Sequence, residues 1–196
     1  MLYKYRSLDN FKFFADIILN ERLFVASYFD MNDPMEGHYL YRTHELTDEI
    51  VRAIKGEKEK LKICSLSRVN NNGLMWAHYA DGHKGVAIGV EIDSEQYDIR
   101  PVIYDGLSTV INNRNDSLQE TAKKILCHKL DFWTYEEEER VFSTGGTKFI
   151  NLTVKEIYLG CKMSNQDKSL ITKLIHNANV ERTSKIEVHT FTEPPA

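Results

Sequence analysis

Apolar positions along this chain of 196 residues follow two periods, and the places where one gives way to the other mark its elements. Leu2 to Arg6 is aromatic and alternating, which predicts a short strand. Leu8, Phe11, Phe14, Ala15, Ile18 and Leu19 recur at three-to-four spacing and predict a helix capped by Ser7 or Asp9. Arg22 to Ser27 reads as a strand, and Asp30 to Gly37 is dense in turn formers. Thr47 is placed to cap a charged helix running to about Lys60, with Ile50, Ala53 and Ile54 as a narrow apolar stripe. Leu61 to Ser67 follows as a strand.

Asn70 to Gly73 reads as a polar loop and Leu74 to Ala80 as one short helix. Lys84 to Ile92 is the most strand-like run, with a second strand near Ile99 to Tyr104. Asn115 to Ser117 can cap a helix whose Leu118, Ala122, Ile125 and Leu126 share a face. Phe132 to Ser143 reads as a strand, and Gly145-Gly146 signals a turn that would make it a hairpin with Phe149 to Leu159. Ser164 and Asp167 suit a capping box for a helix to about Asn177. Lys185 to Phe191 is a last strand before a tail of Glu193-Pro-Pro-Ala. The second half is strand-rich and lacks steady βαβ alternation, so the expected fold class is α+β in one domain, with a mixed or antiparallel sheet.

Composition narrows the picture modestly. A hydrophobic fraction of 42% and a charged fraction of 28% suit a globular chain with a real core. The net charge of -4 gives no electrostatic reason to expect nucleic acid by default, although a local basic patch is compatible with it. Cys64, Cys127 and Cys161 are scattered and unpaired in spacing, and read as small reduced hydrophobes. No apolar run reaches membrane-spanning length and no signal peptide opens the chain, so the expectation is a cytoplasmic protein with no membrane partner.

Four polar clusters carry the candidate chemistry. In Tyr3-Lys-Tyr-Arg6, alternation puts Lys4 and Arg6 on one face and the tyrosines on the other. Arg6 is then either a surface charge or a contact for phosphate or carboxylate. Ser65 and Ser67 share a face opposite Leu66, and either line a polar pocket or bond nearby backbone. Met75 to Gly85 gathers Trp76, His78, Tyr79 and His83, with a structural role expected for Trp76 and His78 as the histidine to test first. His-x4-His without further ligands is no metal site, and no metal is expected. Trp133 to Phe142 encloses four glutamates among strand-forming residues. As a strand it aligns Glu136, Glu138 and Arg140, so that face is either open to water or lines a cleft in which Arg140 orients a carboxylate. Asp30, Asp33 and Glu36 form a further acidic group, structural in its Asn-Asp-Pro turn context.

Tyr3-Lys-Tyr-Arg6, Asn32-Asp-Pro-Met-Glu-Gly37, Ser65-Leu-Ser67, Met75-Trp-Ala-His-Tyr79, Gly82-His-Lys-Gly85 and Trp133 to Arg140 together resemble the bacterial domain-of-unknown-function family 2971. The order Arg6, Ser65-Leu-Ser67, Glu136-Glu-Glu138 is also similar to ADP-ribosyltransferases of the arginine-serine-glutamate type. That resemblance implies a split, strand-rich sheet with flanking helices and NAD, or a related nucleotide, as substrate. It implies Arg6 on the pyrophosphate and Ser65, with Ser67, bracing the site. Glu138 would stabilise the oxocarbenium-like transition state and Glu136 activate an acceptor, protein or nucleic acid. Trp76 or Tyr79 would stack on a base. A different transferase pattern would use His78 and Tyr79 as the ribose and nicotinamide contacts. The implied setting is bacterial, including conflict with phage. A non-enzymatic module binding a nucleotide or partner, and a hydrolase or nuclease, stand as alternatives.

Overall fold

A computed structural model of the chain describes residues 1–110, 116–144 and 146–192. Asn115, Gly145 and the tail from Glu193 lie outside the described residues. The strands are β1 (Leu2–Arg6), β2 (Arg22–Phe24), β3 (Tyr39–Tyr41), β4 (Lys62–Ser67), β5 (Val86–Glu91), β6 (Asp98–Pro101), β7 (Ser108–Val110), β8 (Glu138–Ser143), β9 (Phe149–Asn151), β10 (Thr153–Leu159) and β11 (Glu187–Thr190). The helices are α1 (Phe11–Asn20), α2 (Asp48–Lys60), α3 (Gly73–Tyr79), α4 (Leu118–Ile125) and α5 (Asn165–Val180). Helices and a mixed sheet make the protein α+β. No described helix is long and apolar enough to cross a membrane.

Seven strands form the main sheet in the order β11-β10-β5-β1-β4-β8-β6. Every neighbouring pair is antiparallel except β10 with β11, which are joined through α5. Alternation along the strands makes two faces. Val86, Ile88 and Val90 of β5, with Cys64 and Leu66 of β4, face α1 and α5 in the largest core cluster. On the other face Tyr5 and Ala87 pack against Met75 and Trp76 of α3, while Ile63 and Phe142 pack against Ala122 and Leu126 beside α4.

Helix starts follow local capping chemistry. Thr47, Asn72, Ser117 and Ser164 each accept an N–H of the first turn through a side-chain oxygen. The first helix departs from expectation, since it begins behind Asn10 without a side-chain cap. The expected hairpin after β8 is also absent. Both edges of β8 are taken by β4 and β6, so β9 pairs with β2 and β10 with β5. Two three-residue strands, β3 and β7, pair with each other in parallel and were too short to show a period in the sequence.

Candidate functional site

The sheet opens at its middle. β1 makes five register pairs with β5, and β4 makes six with β8, but β1 and β4 meet in register only at Tyr3 and Ser67. Gly85 draws the far end of β1 toward β5, because a Cβ there would stand 2.1 Å from the Arg6 carbonyl oxygen. The edge that β4 loses is taken up by Ala26, which exchanges two backbone hydrogen bonds with Ile63 at 2.9 and 2.8 Å. A cavity of about 280 Å3 occupies this opening. Arg6, Ser65, Ser67, Tyr79, Glu136 and Glu138, which the chain carries far apart, all line it.

The acidic wall is a chain of alternating charges. Glu136 receives the Tyr79 hydroxyl and, at 2.6 Å, the Lys129 ammonium. Lys129 also lies 2.7 Å from Glu138, whose carboxylate takes Arg140 Nε at 2.9 Å. Arg140 reaches across to Glu36 through both terminal nitrogens and to the Leu126 carbonyl. All five charged groups are buried, and three carboxylates against two cations leave one negative charge in excess. Burial alone would raise the Glu138 carboxyl, but Arg140 and Lys129 outweigh it and hold it well below the usual range. Glu36, which has Arg140 but no second close cation, is raised by burial instead. The Tyr79 phenol is raised by burial and by Glu136, so it remains a proton donor.

This wall corrects the strand expected from Phe132 to Ser143. Residues Asp131–Glu136 form a 3-10 helix, and Glu137 turns in the left-handed region at φ 42° before β8 begins at Glu138. Glu138 and Arg140 do share a face by strand alternation, opposite Glu139, which pairs with Arg68. Glu136 reaches the same face from the end of the 3-10 helix.

The opposite side of the opening is basic. The Lys4 ammonium donates to the Ser65 carbonyl at 2.8 Å. The Arg6 guanidinium lies 5.7 Å from the Phe13 ring, and among the described residues it has neither a carboxylate within 4 Å nor a hydrogen-bond partner. Partial burial lowers its pKa. Ser65 Oγ is shielded from solvent and has no hydrogen-bond partner among the described residues. Ser67 Oγ is committed, donating to the Glu136 carbonyl at 2.7 Å. The cavity therefore gathers a guanidinium without a carboxylate in contact and an unengaged hydroxyl together with a net-negative wall carrying a tyrosine.

Two expected site residues lie elsewhere. Trp76 is fully buried, its ring 4.6 Å from that of Phe191 and 5.4 Å from that of Tyr5, with its indole N–H donated to Asn70. No face of it is left for a ligand base. His78 sits on the exposed side of α3, 6.0 Å from Tyr135, and does not line the cavity. Conversely, Lys129 and Glu36 complete the acidic wall without having been expected there. Lys129 lies between elements where no period marks it. Glu36 sits in the turn-rich segment read as structural, and its partner Arg140 is 104 residues away. Among the described residues no group of three or more His, Cys, Asp or Glu could hold a metal ion.

Comparison of the chain with models of protein families, with curated proteins and with solved structures gives no significant match.

Proposed function

We propose that the protein is an enzyme of the ADP-ribosyltransferase or NAD glycohydrolase type, acting on NAD or a related nucleotide in the opening between β1 and β4. The observation that carries this reading is the convergence of Arg6, Ser65 and Glu138, from three separate strands, on one cavity. NAD carries an anionic pyrophosphate and a cationic nicotinamide ribose, so its charge pattern suits a cavity lined by both a guanidinium and a net-negative wall. Arg6, without a protein counter-ion, suits the pyrophosphate. Glu138, held ionised, suits the positive charge that develops on the sugar as nicotinamide leaves. Tyr79 and Ser65 are hydrogen-bonding groups for ribose or carboxamide. The cavity is slightly below the ~300 Å3 at which small-molecule sites usually begin. It suits the nicotinamide ribose half, with the adenosine half over the open mouth. The same reading keeps the chain with domain-of-unknown-function family 2971 and with a cytoplasmic setting.

A second reading, nucleotide binding without turnover, is favoured by the engagement of both Glu138 oxygens by Arg140 and Lys129. One experiment separates the two. The protein is incubated with NAD, and nicotinamide release and mass shifts on protein or nucleic acid are followed by mass spectrometry, for the natural chain and for Arg6→Ala. The enzyme reading expects nicotinamide release that falls about 10–100-fold in kcat/KM in the variant, matching the ~1.5–3 kcal/mol of a charged hydrogen bond. NAD binding without release supports the second reading, and absence of both binding and release defeats both.

A further inference from the structure

Three lysine or arginine side chains are buried among the described residues: Lys58, Lys129 and Arg140. Lys129 and Arg140 each hold two carboxylates. Lys58, on the last turn of α2 and 6% exposed, has none within 4 Å. Its ammonium donates to the Gly37 carbonyl at 2.6 Å and stands 5.1 Å from the ring centres of both Tyr28 and Tyr39. The carbonyl, the two rings and the negative end of α2 offset part of the cost of removing the charge from water. They leave the ammonium without a carboxylate in contact, Glu59 and Glu36 acting on it only from beyond 4 Å, which is an expensive state for a buried charge. Burial lowers the Lys58 pKa accordingly.

Lys58 also lines a second cavity, of about 520 Å3, whose walls include Phe29, Tyr39, Tyr41 and Lys55. Two carboxylates reach that wall, and both are engaged: Glu36 with Arg140, and Asp33 with the Met35 amide. This second cavity therefore combines a cation with no carboxylate in contact among the described residues, flat aromatic surfaces and room for a small ligand.

We propose that this cavity is a second ligand site, taking a flat anionic compound of the mononucleotide kind, with its phosphate on Lys58 and its ring against the tyrosines. A lone lysine meets phosphate as a point charge, and Lys55 at the wall adds long-range attraction. Met31, Asp33 and Glu36 line both cavities, but Lys58 lines only the second, and the proposal does not depend on the function proposed for the first.

Isothermal titration calorimetry with AMP, adenosine and inorganic phosphate tests it, using the natural chain, Lys58→Met and Tyr41→Ala. Lys58→Met is repeated in an Arg6→Ala background, so that any AMP in the first cavity is accounted for separately. AMP should bind, adenosine at least tenfold more weakly. Lys58→Met should weaken AMP at least tenfold in both backgrounds while still unfolding cooperatively, the relief of a buried charge offsetting the lost Gly37 hydrogen bond. Tyr41, on the exposed rim, provides a variant outside the core; its loss should weaken AMP but leave inorganic phosphate unaffected. Failure of AMP to bind, equal binding of adenosine and AMP, or AMP affinity unchanged by Lys58→Met would each overturn the proposal.

Discussion

Arg140 has no solvent-exposed surface and divides its guanidinium between Glu36 and Glu138, yet these two partners are shifted in opposite directions. The difference is Lys129, which is in direct contact with Glu138 and acts on Glu36 only weakly from a distance. Since the folded Glu138 carboxyl lies below its unfolded value, its ionisation stabilises the fold above about pH 4.5 and ceases to do so as pH falls toward about 2. Glu138→Gln removes that contribution. Urea unfolding between pH 4.5 and 2 should then lose stability less steeply, by up to about 1.4 kcal/mol per pH unit, than in the natural chain. Identical slopes would mean that Glu138 carries no depressed pKa. At neutral pH the same variant should be less stable, so loss of turnover in it is informative only alongside its unfolding curve.

The element that brings Tyr79 to Glu136 is α3, and Asn72 ties it in two directions. Its Oδ1 accepts the Leu74 and Met75 amides at 2.9 and 3.3 Å, while its Nδ2 donates to the Tyr135 carbonyl at 3.1 Å. That last bond joins α3 to the 3-10 helix ending at Glu136. Asn72→Ala should cost about 1 kcal/mol from the lost cap. A cost under ~0.3 kcal/mol in denaturant titration would show that α3 is held by Trp76 packing alone. The 3-10 helix shows why the run of glutamates misled as a strand. Strand propensity at Trp133 and Tyr135 was real, but the left-handed turn at Glu137 ended the segment before β8.

Across the whole molecule, the cavity lies where two groups of strands, one around β5 and β1 and one around β4 and β8, touch at a single register pair. The first group is closed at its edge by β11, whose neighbour Phe191 stacks on Trp76. A chain ending at Ser184 would expose the edge of β10 and uncover Trp76, a fully buried side chain of the face that carries α3. Such a chain should lose cooperative thermal unfolding or aggregate, as seen by circular dichroism and size-exclusion chromatography. A truncated chain that elutes like the full one, without aggregate, and melts within about 2 °C of it would contradict that view of β11.

What the sequence determined by itself was local. Helix periods, cap residues at Thr47, Ser117 and Ser164, the β1, β4 and β5 strands and the α+β class all depend on neighbours within a few positions. The Arg6, Ser65 and Glu138 positions were legible as polar residues on predicted strands. Their meeting was not, because it depends on which strand edges pair and where that pairing stops. Only the tertiary structure decided that β8 joins β4 and β6 rather than β9, and that Trp76 keeps no face for a ligand. It also supplied Lys129 and Glu36 to the acidic wall. Those outcomes follow from burial and from partners as far as 104 residues apart, which local propensity does not encode.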